Sequence, residues 1–189
     1  MIALLEKHLR SVLGGNTDRL EDVLIHFREG RAERNELLLQ QGQVCRHVYF
    51  IGKGCLQVFG TDEAGSETTR EFYFENHWVT DIFGFQHQLP SAESIRALEP
   101  SDLALISFSD FQKLVGAVPQ FAAVYRQILE ISYNRTVYRV NTLISLDALG
   151  RLRWLLENQP KILTRLSSKQ VASYLGISPE TLTRLKARL

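Results

Sequence analysis

The sequence predicts an α+β protein: an N-terminal antiparallel β-roll, jelly-roll-like with flanking helices, then a long dimerisation helix, then a small all-α helix–turn–helix domain. Three observations carry that prediction. Short β-type runs punctuated by glycine fill residues 36–111, the apolar period turns helical from about Pro119, and two short helices flank a glycine corner between Ser168 and Leu189. The expected boundaries are 1–118 for the β-roll, 119–145 for the long helix and 146–189 for the helix–turn–helix.

Residues 1–30 read as helical, with Leu4, Leu5, Leu9, Val12 and Leu13 on one face. Leu20, Val23, Leu24 and Phe27 form a second short helix after Asn16-Thr17-Asp18. Six runs then suit strands: ELLLQ, HVYFIGKG, CLQVFG, TTREFYF, SIRAL and LALISF. The alternation in Thr69-Arg70-Glu71-Phe72-Tyr73-Phe74 and the turn chemistry of Thr61-Asp62-Glu63-Ala64-Gly65 favour hairpins, and so many short strands favour a small barrel or jelly roll. After Pro119, the residues Phe121, Val124, Ile128, Ile131, Arg135, Tyr138, Thr142 and Ser145 recur at alternating four- and three-residue steps. Such a stripe suits a helix packed on its own β unit or a dimer seam. The seam is favoured, because a long helix after a complete β unit has little left in its own domain to cover. A further helical group begins at Leu143, continues through Trp154-Leu155-Leu156 and breaks at Gln159-Pro160.

The charge is uneven. Residues 1–150 hold 14 Lys+Arg against 19 Asp+Glu, a net of −5; residues 151–189 hold 8 against 2, a net of +6. A basic tail on an acidic body points to a polyanion. No run approaches the roughly 18 apolar residues of a membrane span. The charged N-terminus reads as an amphipathic helix and not a signal peptide, so a cytoplasmic location with no membrane partner is expected. Two cysteines, Cys45 and Cys55, suggest neither a disulfide framework nor a zinc site.

In the tail, Val171 and Leu175 lie four apart on a buried face, and Ala172 is small where a second helix crosses. Gly176 can take the left-handed conformation that ends a helix. Ile177 fills the corner, Ser178 is a good N-cap, and Pro179 follows where its missing N–H costs nothing. With Leu182 and Leu185 turned inward, the second helix leaves Ser178, Pro179, Glu180, Thr183, Arg184 and Arg188 outside. An arginine there can pair with guanine and a glutamate can accept from cytosine, as a recognition helix in a major groove does.

These residues, above all ASYLGISPETLTRL, resemble the DNA-binding helices of the Crp/Fnr family of transcription regulators. VYFIGKGCLQVFG and IRALEPSDLALISFSDFQKL are more loosely similar to the family's cyclic-nucleotide-binding β-roll. The resemblance implies a homodimer whose partners are double-stranded DNA and RNA polymerase. It also implies base and phosphate contacts from Glu180, Thr181 and Arg184, supported by Ser168 and Lys169 on the first helix. Pro179 replaces a residue that is often basic or polar in the family. The sequence stops at Leu189, so a domain without the family's wing is expected.

In relatives that bind cyclic AMP, a cassette opens with Gly-Glu and closes with Arg-Ser. Here Thr80-Asp81 and Ser91-Ala92 stand in those places. No cation replaces the arginine, so the resemblance implies that cyclic AMP does not bind in the usual way. Arg70 and Arg96 are the candidates for another anion, and no cofactor is expected. Two cysteines are too few for a four-cysteine iron–sulfur cluster. His8, His26, His47, His77 and His87 show no haem-like pairing, and His77 and His87 read as loop or surface residues. A cupin-like metalloenzyme is the alternative on the same frame, although it would need a His-x-His pair that the sequence lacks. A protein-interaction module without DNA binding is a third reading.

Overall fold

The computed structural model describes residues 1–14 and 17–189; Asn16, assigned above to the turn before the second helix, lies outside them. Two helices, α1 (Ile2–Leu13) and α2 (Leu20–Leu24), precede eight strands: β1 (Arg28–Ala32), β2 (Leu37–Leu39), β3 (His47–Lys53), β4 (Leu56–Thr61), β5 (Glu67–Tyr73), β6 (Trp78–Val79), β7 (Ser94–Ala97) and β8 (Ser101–Ser107). Helix α3 (Ile82–His87) interrupts the strands. Then follow α4 (Phe108–Ala117), α5 (Pro119–Ser145), α6 (Ala148–Asn158), α7 (Ile162–Arg165), α8 (Ser168–Leu175) and α9 (Pro179–Lys186).

The strands form two antiparallel sheets, ordered β1-β8-β3-β6 and β2-β7-β4-β5. They do not close into one barrel; Phe50, Ile51, Leu103 and Ile106 of the first share a core with Leu56, Val58, Ile95 and Ala97 of the second. The chain passes between sheets at Gly54, whose φ is +109° and where a Cβ would stand 2.1 Å from the Ser101 hydroxyl oxygen. Only glycine fits that corner. The β4–β5 hairpin turns as its residues predict, with the Asp62 carboxylate accepting from the Ala64 and Ser66 amides at 3.0 and 2.8 Å.

Four expectations need correction. Residues 28–32 are not helical but form β1, an edge strand whose sequence, REGRA, has no apolar alternation. Pairing with β8, from Arg28 opposite Leu105 to Ala32 opposite Ser101, makes it a strand. Leu4 is half exposed and does not join Leu5 and Leu9 in the core. The β-type region expected over residues 36–111 ends at Ser107, which caps α4 by accepting from the Asp110 amide at 3.2 Å. Leu143 belongs to α5, and the second helical group starts only at Ala148.

Helix α5 covers the predicted range, but its expected seam faces elsewhere. Phe121 and Val124 are buried against the β-roll and Ile128 packs on the same core. Phe121 meets Phe111 edge-on at 5.2 Å. Arg135 is also turned to its own β-roll, where it bonds Glu71 at 3.1 Å and the Phe72 carbonyl at 3.0 Å. Of the stripe, Ile131 and Tyr138 are exposed. The solvent face carries a different set, Tyr133, Val137, Val140 and Ile144, again spaced by four, three and four.

Candidate functional site

Local chemistry builds the last two helices. Ser167 caps α8 in a reciprocal capping box with Gln170, and Gly176 ends it at φ +67°. The Ile177 amide returns to the Ala172 carbonyl at 3.1 Å, which closes the corner. Ser178 then caps α9 by accepting from the Thr181 amide at 3.2 Å, and Pro179 occupies the first turn. Val171, Ala172, Leu175, Leu182 and Leu185 are buried, so α8 and α9 cross on small and branched side chains.

Ser178, Pro179, Glu180, Thr183, Arg184 and Arg188 are all exposed along α9 and its ends, and Thr181 is half-buried beside its cap. Ser168 and Lys169 are exposed at the start of α8, where Lys186 donates to the Ser168 hydroxyl at 3.1 Å. None of the ion pairs among the described residues uses Lys169, Arg184 or Arg188. A bond from its own backbone amide, and then one from the Ser178 hydroxyl, hold Glu180 below the usual carboxylate range.

Not every cation of the basic tail faces outward. Arg165 donates to both Glu75 oxygens at 2.8 and 2.9 Å, reaches Glu99, and lies 4.6 Å over the Phe74 ring. Burial opposes the charge on Glu75. The bonds from Arg165 and from the Gly54 amide outweigh it and hold Glu75 at about 2 against the ordinary 4.5. Helix α8 lies on β5, where the Ser173 hydroxyl accepts from the Thr69 amide at 2.9 Å and Tyr174 packs on Phe72 at 5.4 Å. Arg139 of α5 donates to the Tyr174 carbonyl and covers its ring at 3.9 Å. Burial, with Glu71 beside it, pushes the Tyr174 phenol up to about 12. The helix–turn–helix is therefore fastened to the β-roll by a shared apolar core and several polar contacts.

A cavity of about 310 Å³ lies between the β-roll and α5 under α1. Of the residues expected there, Thr80, Asp81 and Arg70 line it. Ser91, Ala92 and Arg96 do not. Ser91 is buried with its hydroxyl bonded to the Glu93 backbone at 2.8 Å, and Ala92 faces solvent. Arg96 pairs with Glu67 at 2.6 Å and stacks on Phe59 at 4.4 Å.

Sequence reasoning missed the residues that α1 and α5 contribute, His8, Gln127, Ile131 and Arg135 among them. Their only signal was the helical period, which does not say what a face covers. His77 lies in the loop before β6, as expected, and also stands in the cavity wall, whereas His87 is exposed beside Phe83. His8 and His77 share this wall, and His8 accepts from the Trp78 indole at 3.1 Å. Among the described residues, no group of three or more His, Cys, Asp or Glu could hold a metal ion. No helix among the described residues is long and apolar enough to cross a membrane.

Residues 29–117 match the cyclic nucleotide-binding domain family. The cAMP-activated global transcriptional regulator CRP of Salmonella typhimurium is 24% identical over 176 residues, covering 88% of this chain and 84% of its own. The structure of FixK2 from Bradyrhizobium japonicum superposes with a TM-score of 0.75 at 17% identity, over 86% of this chain and 84% of that one. A structure assigned to the crp/fnr family, from Eubacterium rectale, gives 0.73 at 13% identity over 92% and 82%.

Residues 29–117 thus form a cyclic nucleotide-binding domain. Over most of its length the chain is similar to transcription regulators, among them a cAMP-activated one and one of the crp/fnr family.

Proposed function

We propose that this chain is a homodimeric, sequence-specific DNA-binding transcription regulator. The observation that carries the reading is the outer face of α9. Glu180, Thr183, Arg184 and Arg188 are exposed on a helix held at a capped glycine corner, and neither arginine is spent on an internal ion pair. Arg184 reads a base edge through its paired N–H groups; Glu180 accepts from an amino group; Ser178 and Thr181 face the backbone, joined by Lys169 and Ser168 on α8. RNA polymerase is the further partner such a regulator implies.

The dimer forms through the solvent face of α5. Tyr133, Val137, Val140 and Ile144 repeat with the heptad spacing of a coiled-coil seam, and the seam suggested by Phe121, Val124 and Ile128 is spent inside the protomer. A two-fold pair then places two recognition helices roughly 34 Å apart, about one helical turn of DNA. A selected duplex should be shifted in a gel with affinity that falls steeply between low and moderate salt, since each neutralised phosphate contributes about −0.9 to the logarithmic slope. A flat salt response, or no shift on any pool-selected duplex, overturns the reading.

A further inference from the structure

We propose that α9 reads a thymine through its 5-methyl group, with the Thr183 methyl and the Pro179 ring forming the apolar contact. This contact rests on the DNA-binding function proposed above and assigns to it one base of each half-site.

Residues four apart on a helix are neighbours on its surface. The outer face of α9 therefore presents two columns of exposed side chains, Glu180 with Arg184 and Pro179 with Thr183. The first column is charged. In the second, the Thr183 hydroxyl donates to the Pro179 carbonyl at 3.0 Å, one turn back along the helix. A hydroxyl has a single proton, so the Thr183 side chain has no donor left for a base or a phosphate. Pro179 has no backbone N–H to offer either. What this column presents is a threonine methyl group beside a pyrrolidine ring.

The column is also set in advance. Ser178 caps α9 directly before Pro179 by accepting from the Thr181 amide, and Leu182 and Leu185 are buried on the opposite side. The bond to the Pro179 carbonyl holds the Thr183 side chain in one rotamer. Little ordering is then left to occur when DNA arrives.

In the major groove thymine alone carries a methyl group, on C5. Cytosine shows the N4 donor there, and the purines show N7 with O6 or N6. An apolar column laid against those polar edges takes them out of water with no bond in return, which is unfavourable. Against thymine the same column meets a methyl group. Discrimination thus has an attractive part and a repulsive part. The charged column beside it fixes the register, because Arg184 pairs with guanine N7 and O6 and Glu180 accepts from an amino group.

Fluorescence anisotropy of the full chain on a pool-selected duplex tests the contact, with each thymine of the half-site replaced in turn by deoxyuridine. The replacement removes one methyl group and leaves base pairing and every hydrogen-bonding edge in place. At one thymine position the affinity should fall about fourfold per half-site, the effect of one buried methyl group. Thr183→Ser keeps the hydroxyl and loses the methyl, so it should bind the thymine and deoxyuridine duplexes alike. Thr183→Val keeps a methyl and loses the hydroxyl, so the loss on deoxyuridine should persist. Thr183 is exposed, and neither change touches the core. Binding that ignores every deoxyuridine replacement overturns the thymine contact and leaves the DNA-binding reading standing. So does a selected half-site without thymine, a loss that survives in Thr183→Ser, or one that vanishes in Thr183→Val. If no duplex is selected at all, the DNA-binding reading fails and the contact falls with it.

Discussion

Arg165 and Arg184 are both arginines of the basic tail, yet one is half-buried in a clamp and the other faces solvent. Their substitution should therefore fail in different assays. Arg184→Ala should cost about 1–3 kcal/mol of DNA affinity and relax preference at one base position per half-site, whereas Lys169→Ala should weaken all sequences alike. Equal losses for Arg184→Ala on selected and random duplexes would remove its base-reading role. Arg165→Ala should leave the α9 surface intact but destabilise the chain by about 1.5–3 kcal/mol, the range for hydrogen bonds to charged groups. The same clamp responds to pH. Glu75 is held near 2 in the folded chain against 4.5 ordinarily, so its contribution is fully present above pH 4.5 and is lost as pH falls towards 2. Thermal melts of wild type and Glu75→Gln should differ at neutral pH and converge across that window.

At the scale of one element, α5 is a helix with one covered face and one exposed face. Its first half is core, where Phe121→Ala should cost about 3–5 kcal/mol of folding stability, the usual cost of removing a buried phenyl ring. Its second half is exposed, so replacing Val137 and Val140 together by Glu should leave the fold intact and produce monomers in sedimentation velocity. A dimer that survives this double change would exclude the proposed seam. The spacing of apolar residues in α5 was legible, but two stripes run along the helix. A period alone does not say which stripe the protomer covers for itself.

Across the whole molecule, the helix–turn–helix and the β-roll share a core. Leu152, Leu155, Val171, Leu175 and Leu182 are buried together with Cys55, Phe72 and Leu98 of the roll. A fragment covering residues 146–189 would lose that cover along with the Glu75–Arg165 clamp, and a chain so short has little core of its own. It should give the circular dichroism of an unfolded peptide. A helical, cooperatively melting fragment would show that the roll is not needed to complete it.

By itself the sequence determined whatever depends on residues a few positions apart. The cap at Ser178, the proline after it, the left-handed Gly176, the Asp62 turn and the onset of helix at Pro119 are local choices, set by backbone dihedrals and short hydrogen bonds. The outward face of α9 followed from them, because two inward apolar positions, Leu182 and Leu185, leave the opposite side for the rest. Tertiary structure decided what depends on distant partners. It made a strand of Arg28–Ala32 through β8 and turned Arg165 to Glu75 and Glu99. It also assembled the cavity from α1, β5, α3 and α5, drawing Arg135 away from the seam and leaving Ser91 and Arg96 outside. The physical reason is the same in each case: a side chain's period fixes its direction on the element, but its partner is whatever the packed chain brings opposite.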